Sequence, residues 1–423
     1  MPAIREPDAA RVHCIGRFGA RALWATGVSF VGVRQPPFAE PCSNLDPIAR
    51  SVDGVKAVID AKVLDHVLLL LKSPNLDTRK WACALIGNTA RHSFTAPAIL
   101  NVYPSVQLVS LLGAEDSFVP WVTYALSQIA RWVDGAKAII EAKVLDHVLP
   151  LLESSNPDTR KWACELVGNL AGHKSTAPTI LKLNPSVLLV SWLCGEDSFA
   201  PWVTYALSRI ARWKEGAKAL VDAKALDHVL PLLESPSLDT RRWACELSGN
   251  LASHKSTASA ILKLNPSVLL VSLLGDEDSL VPWVMYALSQ IAQRRDGAKG
   301  VVSAKVLDHV LPLLESPNPD TRRWACELSG NLASHKSTAP AILKSNPSVL
   351  LVSLLGDEDS LVPWVTYALS QIARWEEGAK AVVDAKALDH VLPLLKSPIP
   401  DTQRWACELI ENLASHESTA SKC

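Results

Sequence analysis

Asp-His pairs recur five times in this chain, ending at His66, His147, His228, His309 and His390. A carboxylate beside an imidazole is the raw material of a general base. Neighbouring residues on a helix point about 100° apart, so adjacency alone makes no dyad. One active site copied along a whole chain would also be unusual. These histidines are expected to pack near a helix start and bridge to a neighbouring helix. A second set, His92, His173, His254, His335 and His416, follows a longer apolar run and is expected to cap helix C-terminal carbonyls. No phosphate-cradling glycine loop, nucleophile elbow or metal-ligand spacing occurs. The expectation is a protein that is not an enzyme, with no cofactor and no metal.

Other residues are suited to binding. Trp81, Trp162, Trp243, Trp324 and Trp405 open Trp-Ala-Cys motifs at one constant interval, and Trp121, Trp202, Trp283 and Trp364 each follow a proline. Seven positions beyond each Trp stand Asn88, Gln128, Asn169, Arg209, Asn250, Gln290, Asn331, Gln371 and Asn412. Three positions beyond it, Ala84 is followed in turn by Tyr124, Glu165, Tyr205, Glu246, Tyr286, Glu327, Tyr367 and Glu408. Offsets of three and seven share one face of a helix.

Two readings follow. The first is a ladder for an extended peptide. Its amides would bond the ligand backbone for about 0.5–1.5 kcal/mol each, and its aromatic faces would clamp ligand side chains. Its glutamates would favour basic or hydroxylated residues, and many weak rungs would add up. The second packs each Trp between neighbouring helices as oversized core, stabilised by the apolar area it buries. The basic pairs Arg79-Lys80, Arg160-Lys161, Arg241-Arg242 and Arg322-Arg323 open the same helices and read as a solvated edge. Trp132, Trp213 and Trp375 give way to Arg294 in one copy, which marks a tolerant, partly exposed position.

A repeat positions all of these residues. From Ala223–Ser303 to Ala304–Asp384 only 12 of 81 positions change. Each such unit splits into halves of about 40 residues that match in pattern, Leu313-Leu314 with Leu354-Leu355 and Asn331-Leu332-Ala333 with Gln371-Ile372-Ala373. Val310, Leu313 and Leu314 give helical apolar spacing. Breakers follow at Ser316-Pro317-Asn318-Pro319-Asp320 and Gly356-Asp357-Glu358-Asp359-Ser360. Asp320 or Thr321, and Asp359 or Ser360, are expected to cap a longer helix that buries Ala325, Leu328 and Leu332, or Val365, Ala368 and Ile372. A short helix follows near Ala341-Ile342-Leu343 or over Ala379 to Val383. No period-2 segment of useful length predicts a strand. No half-unit buries its own apolar face, so copies must stack.

Three helices in about 40 residues, with Leu-x-x-Leu-Leu, a Pro/Asp/Ser turn and then Tyr-Ala-Leu-Ser-Gln-Ile-Ala or Glu-Leu-Ser-Gly-Asn-Leu-Ala, resemble armadillo repeats from about Leu45 to the C-terminus. HEAT repeats, with two helices, are the alternative. The resemblance implies an all-α, right-handed α-solenoid of about nine three-helix repeats with partial repeats at the ends. It also implies that the long helices line a concave groove. Family members that carry nuclear localisation signals place Trp-x-x-x-Asn there. Here that Trp slot holds Ala84 and glutamates alternating with tyrosines, so the import-type signature is absent. The implied function is a protein-binding scaffold or adaptor holding an extended partner segment. The alternative is a structural spacer or self-associating rod.

Bulk properties agree with such a module. The 423 residues carry 42 basic and 43 acidic side chains, a formal net charge of −1, so nucleic acid is not an expected partner. Cys83, Cys164, Cys245, Cys326 and Cys407 share one slot of successive units, read as small buried hydrophobes in a reducing compartment. The expected location is cytoplasmic, with nuclear or peripheral membrane association left open, and no integral membrane segment is expected; Ala20 to Val33 is too short and contains Gly27 and Gly32. Residues 1–42 match no repeat and are expected to form a poorly ordered tail before a repeat domain over 43–423. Neither end shows a polar capping repeat, which implies truncation or self-association through the ends.

Overall fold

A computed structural model describes residues 56, 59, 64–102, 104–113, 117–193, 199–356 and 360–422. The tail expected over residues 1–42 lies outside them. Among the described residues all regular structure is helical, as the helical period of the apolar positions predicts. The chain forms two compact units, Met1–Leu183 and Asn184–Cys423.

The long helices organise both units. In the first they are α1 (Leu76–Arg91), α2 (Val119–Ile129) and α3 (Pro157–Gly172). In the second they are α4 (Ala200–Ala211), α5 (Leu238–Ser253), α6 (Val281–Ala292), α7 (Pro319–Ser334), α8 (Val362–Ala373) and α9 (Pro400–Ala414). Within each unit every long helix packs most closely on the long helices next to it in sequence. Two short helices connect each pair. Ala339–Ser345 and Ser348–Ser353 lie between α7 and α8, and Glu376–Asp384 and Ala387–Leu394 lie between α8 and α9. This is an α-solenoid type of packing, in which each step adds two short helices and one long one.

The helix starts explain the breakers. Asn75, Asn156, Ser237 and Asn318 are the N-caps of α1, α3, α5 and α7, and their side-chain oxygens accept from backbone N–H groups in the first turn. Ser73, Ser154, Ser235 and Ser316 in turn accept from the backbone N–H of those caps. The expected cap is therefore displaced in α7. Asp320 and Thr321 lie inside the first turn, where Asp320 favours the positive end of the helix dipole. In α8 the cap is Leu361 instead of Ser360, with no side-chain bond; Pro363 in the first turn needs no N–H partner. Asp359 lies outside the described residues.

The core is aliphatic and small. Ala325, Leu328, Leu332, Val365, Ala368 and Ile372 are fully buried, as their spacing predicts. Cys83, Cys164, Cys245 and Cys326 are buried free thiols, while Cys407 is exposed. At the helix ends, Thr338 Oγ1 donates to the Leu332 carbonyl at 2.6 Å, and the same bond recurs from Thr95, Thr176, Thr257 and Thr419. Lys143, Lys224, Lys305 and Lys386, with Asn184, Asn265 and Asn346, adopt left-handed backbone between short helices. This conformation is ordinary for Asn and strained for Lys.

Candidate partner-binding face on the long helices

Side chains at the three ladder offsets do share one face of each long helix, but they sit at different depths. The Asn and Gln slots are turned inward. Asn88, Asn169, Asn250, Asn331, Gln128, Gln290 and Gln371 are buried, and Arg209 and Asn412 are half-buried. Their bonds run to the neighbouring long helix. In the second unit Asn250, Asn331 and Asn412 donate from Nδ2 to the carbonyls of Ser208, Ser289 and Ser370 at 2.9 Å. Tyr286 and Tyr367 hydroxyls donate to Oδ1 of Asn250 and Asn331. Gln290 and Gln371 donate to carboxylate oxygens of Glu327 and Glu408 at 3.0 and 2.8 Å. Arg209 pairs with Glu246 at 3.3 Å.

The first unit repeats the pattern. Tyr124 donates to Asn88, Asn169 to the Ser127 carbonyl and Gln128 to Glu165. Polar side chains thus cross every packed pair of long helices within a unit. Glycine makes room for this crossing. A Cβ at Gly330 would lie 2.6 Å from Tyr367 Cε1.

Residues at the helix ends extend the same spine. His173, His254, His335 and His416 cap C-terminal carbonyls as expected, those of Ala130, Ala211, Ala292 and Ala373 at the end of the preceding long helix. In the alternate copies Trp132 and Trp375 donate from Nε1 to the carbonyls of Ala90 and Ala333. Arg294 donates to the carbonyl of Ser253. An indole and a guanidinium are interchangeable here because both reach a carbonyl with an N–H. The Asp146-His147 and Asp308-His309 pairs share no hydrogen bond, and both histidines are half-buried on short helices.

Apart from Trp162, the tryptophans of these slots are not sealed. Trp121, Trp202, Trp243, Trp283, Trp324, Trp364 and Trp405 are half-buried, Trp162 is buried and Trp81 is 51% exposed. Tyr124 is buried, and Tyr205, Tyr286 and Tyr367 are half-buried. In the second unit the rings meet in sets: Tyr205, Trp243 and Trp283; Tyr286, Trp324 and Trp364; Tyr367 and Trp405. Their centroids lie 4.7–6.3 Å apart. In the first unit Tyr124 meets Trp162 at 4.7 Å. Such tilted pairs are favourable ring geometries.

The basic pairs, read from sequence as one solvated edge, divide in two. Arg160, Arg241 and Arg322 turn back onto the preceding turn and donate to the carbonyls of Ser154, Ser235 and Ser316. The next residue stacks on the aromatic row. Arg242 lies 4.6 and 4.3 Å from the ring centres of Trp243 and Trp283, and Arg323 lies 4.5 and 4.4 Å from those of Trp324 and Trp364. Arg404 covers Trp405 and Lys161 covers Trp162. Sequence spacing offered a signal for this, since a basic residue directly precedes Trp in every Trp-Ala-Cys copy.

Glu246 and Glu327 are buried, and Glu165 and Glu408 half-buried. Burial raises the Glu165 and Glu327 carboxyls above their ordinary range, against the pull of the donor amides and nearby cations. Among the described residues no group of His, Cys, Asp and Glu is placed to hold a metal, and no single helix is long and apolar enough to cross a membrane.

With this geometry in view, solved structures resemble the chain. An engineered protein from the Northeast Structural Genomics Consortium is 27% identical, with a TM-score of 0.68 over 87% of this chain and 93% of its own. A second engineered protein from the same consortium is 25% identical, with a TM-score of 0.51 over 55% of this chain and 99% of its own. A designed armadillo repeat protein is 21% identical, with a TM-score of 0.49 over 53% of this chain and 98% of its own. The fold is one of stacked helical repeats. No protein-family model matches the chain, and no curated protein matches it.

Proposed function

We propose that this chain is a non-enzymatic scaffold whose long helices hold an extended segment of a partner protein. The armadillo character of the repeats belongs to the same proposal, as does a reducing, cytoplasmic setting. The carrying observation is the aromatic row of the second unit, where Trp243, Trp283, Trp324, Trp364 and Trp405 are half-buried, each beside an arginine. A residue serving only as core would be sealed. The inward amides hold the helices in register, and the rings and cations above them meet the ligand. Binding many small contacts along a row gives affinity without a deep pocket.

A second reading rests on the polar spine itself. Asn331, Gln290 and Glu327 are committed to one another's helices, which suits a rod with a purely mechanical role. Affinity capture with the parent chain and with a Trp283→Ser, Trp324→Ser, Trp364→Ser variant separates the two. The scaffold reading expects the variant to lose the captured protein while staying helical. Unchanged capture, together with self-association in light scattering, favours the rod.

A further inference from the structure

We propose that the long-helix face of the second unit selects an acidic extended peptide, read by Arg242, Arg323 and Arg404. This deepens the scaffold reading and reverses the charge preference expected from the glutamates. The glutamates of that row lie low and are engaged: Glu246 with Arg209, Glu327 with Gln290, Glu408 with Gln371. The arginines lie on top of the indoles. Arg242 and Arg323 are half-buried and Arg404 is exposed. None of the three makes a hydrogen bond or close ion pair with a described residue; the Nε–H groups of Arg242 and Arg323 are buried without an acceptor, which leaves the terminal guanidinium nitrogens to meet a ligand. The counter-charge beside Arg323 is Glu327, one turn away on its own helix, where it is buried and accepts from Gln290; burial raises its carboxyl above the ordinary range. Arg212 and Arg374 add exposed cations farther along the same face. The carboxylates of the aromatic row are therefore engaged while its guanidiniums keep open donors, and a ligand carboxylate beside a ring-stacked guanidinium forms a charge-assisted bond in a place partly shielded from water.

Spacing makes the proposal specific. Arg242, Arg323 and Arg404 occupy the same slot of α5, α7 and α9, so two long-helix spacings separate successive cations. At about 8–10 Å per packed pair this is roughly 16–20 Å, or about five to six residues of extended peptide. Indoles between the cations take the intervening apolar side chains.

Tryptophan fluorescence titration of the full chain tests this, using a synthetic peptide with a glutamate at about every sixth position. The comparison probes are the same composition with its glutamates adjacent, a version with lysines in place of glutamates, and a single-stranded oligonucleotide. The expected order is spaced glutamates tightest, adjacent glutamates weaker, lysines without effect, with affinity falling as salt rises. Arg242→Gln and Arg323→Gln should each weaken the spaced peptide by roughly three- to tenfold. Arg323→Lys should retain most binding, since Lys80 and Lys161 occupy the same slot in other copies. Binding of the lysine peptide as tight as that of the spaced glutamate peptide overturns the charge assignment and leaves the scaffold reading intact. An oligonucleotide that binds more tightly also overturns it, in favour of a phosphate ligand. No response to any peptide removes both the inference and the reading beneath it.

Discussion

Asn331 shows how one side chain joins two neighbours. Its Nδ2 donates to the Ser289 carbonyl on α6, and its Oδ1 accepts from Tyr367 on α8. Asn331→Ala breaks both bonds and leaves a buried carbonyl and a phenol without partners. The expected loss is about 2–4 kcal/mol, measured by urea unfolding. The Asn slot was legible in the sequence as a position on one face. Its partner was not, because a backbone carbonyl on another helix carries no signature in residue type. Glu327 makes a second prediction at this scale. Burial holds its folded pKa above the unfolded value, so its contribution is favourable at low pH and is lost as pH rises through the folded pKa. Glu327→Gln should therefore unfold at higher urea than the parent at neutral pH, and this gap should close in acid below the ordinary carboxylate range.

The buried faces of the long helices were the most readable elements. Apolar spacing located the buried faces of α7 and α8 down to single residues. The cap of α7 was misplaced, because Asn318, Asp320 and Thr321 all suit an N-terminus and only the backbone decides which one stands outside it. The left-handed lysines escaped the sequence reading altogether, since Lys carries no turn signal. Lys305 at φ 65° holds a conformation that glycine adopts freely. Lys305→Gly should raise the stability of the second unit by up to roughly 1 kcal/mol, the relief of strain being partly offset by the entropy of glycine. An unchanged or lower urea midpoint would show that the lysine is not strained there.

Over the whole molecule, repetition made the architecture readable and concealed the function. Near-identical copies announce stacking, but copies this alike cannot separate ligand contacts from framework contacts. In the second unit the structure sorts these positions by depth, with most amides and carboxylates below and rings and cations above. Burial also sorts the thiols of the repeated slot. Cys164 and Cys326 are pushed up to about 12 by burial, and Cys83 and Cys245 are likewise raised. Peptide mapping after native maleimide labelling should find Cys407 modified and the four buried members of the slot intact until the chain is unfolded.

The most direct test places a photo-crosslinking residue at Trp324, on the aromatic row, or at Val349, which is 60% exposed on a short helix of the same unit. Irradiation is done with the bound partner present and the adducts are sequenced. The account predicts crosslinks from position 324 to one continuous partner segment and none from 349. Crosslinks from 349 alone, or only between copies of this chain, would contradict it.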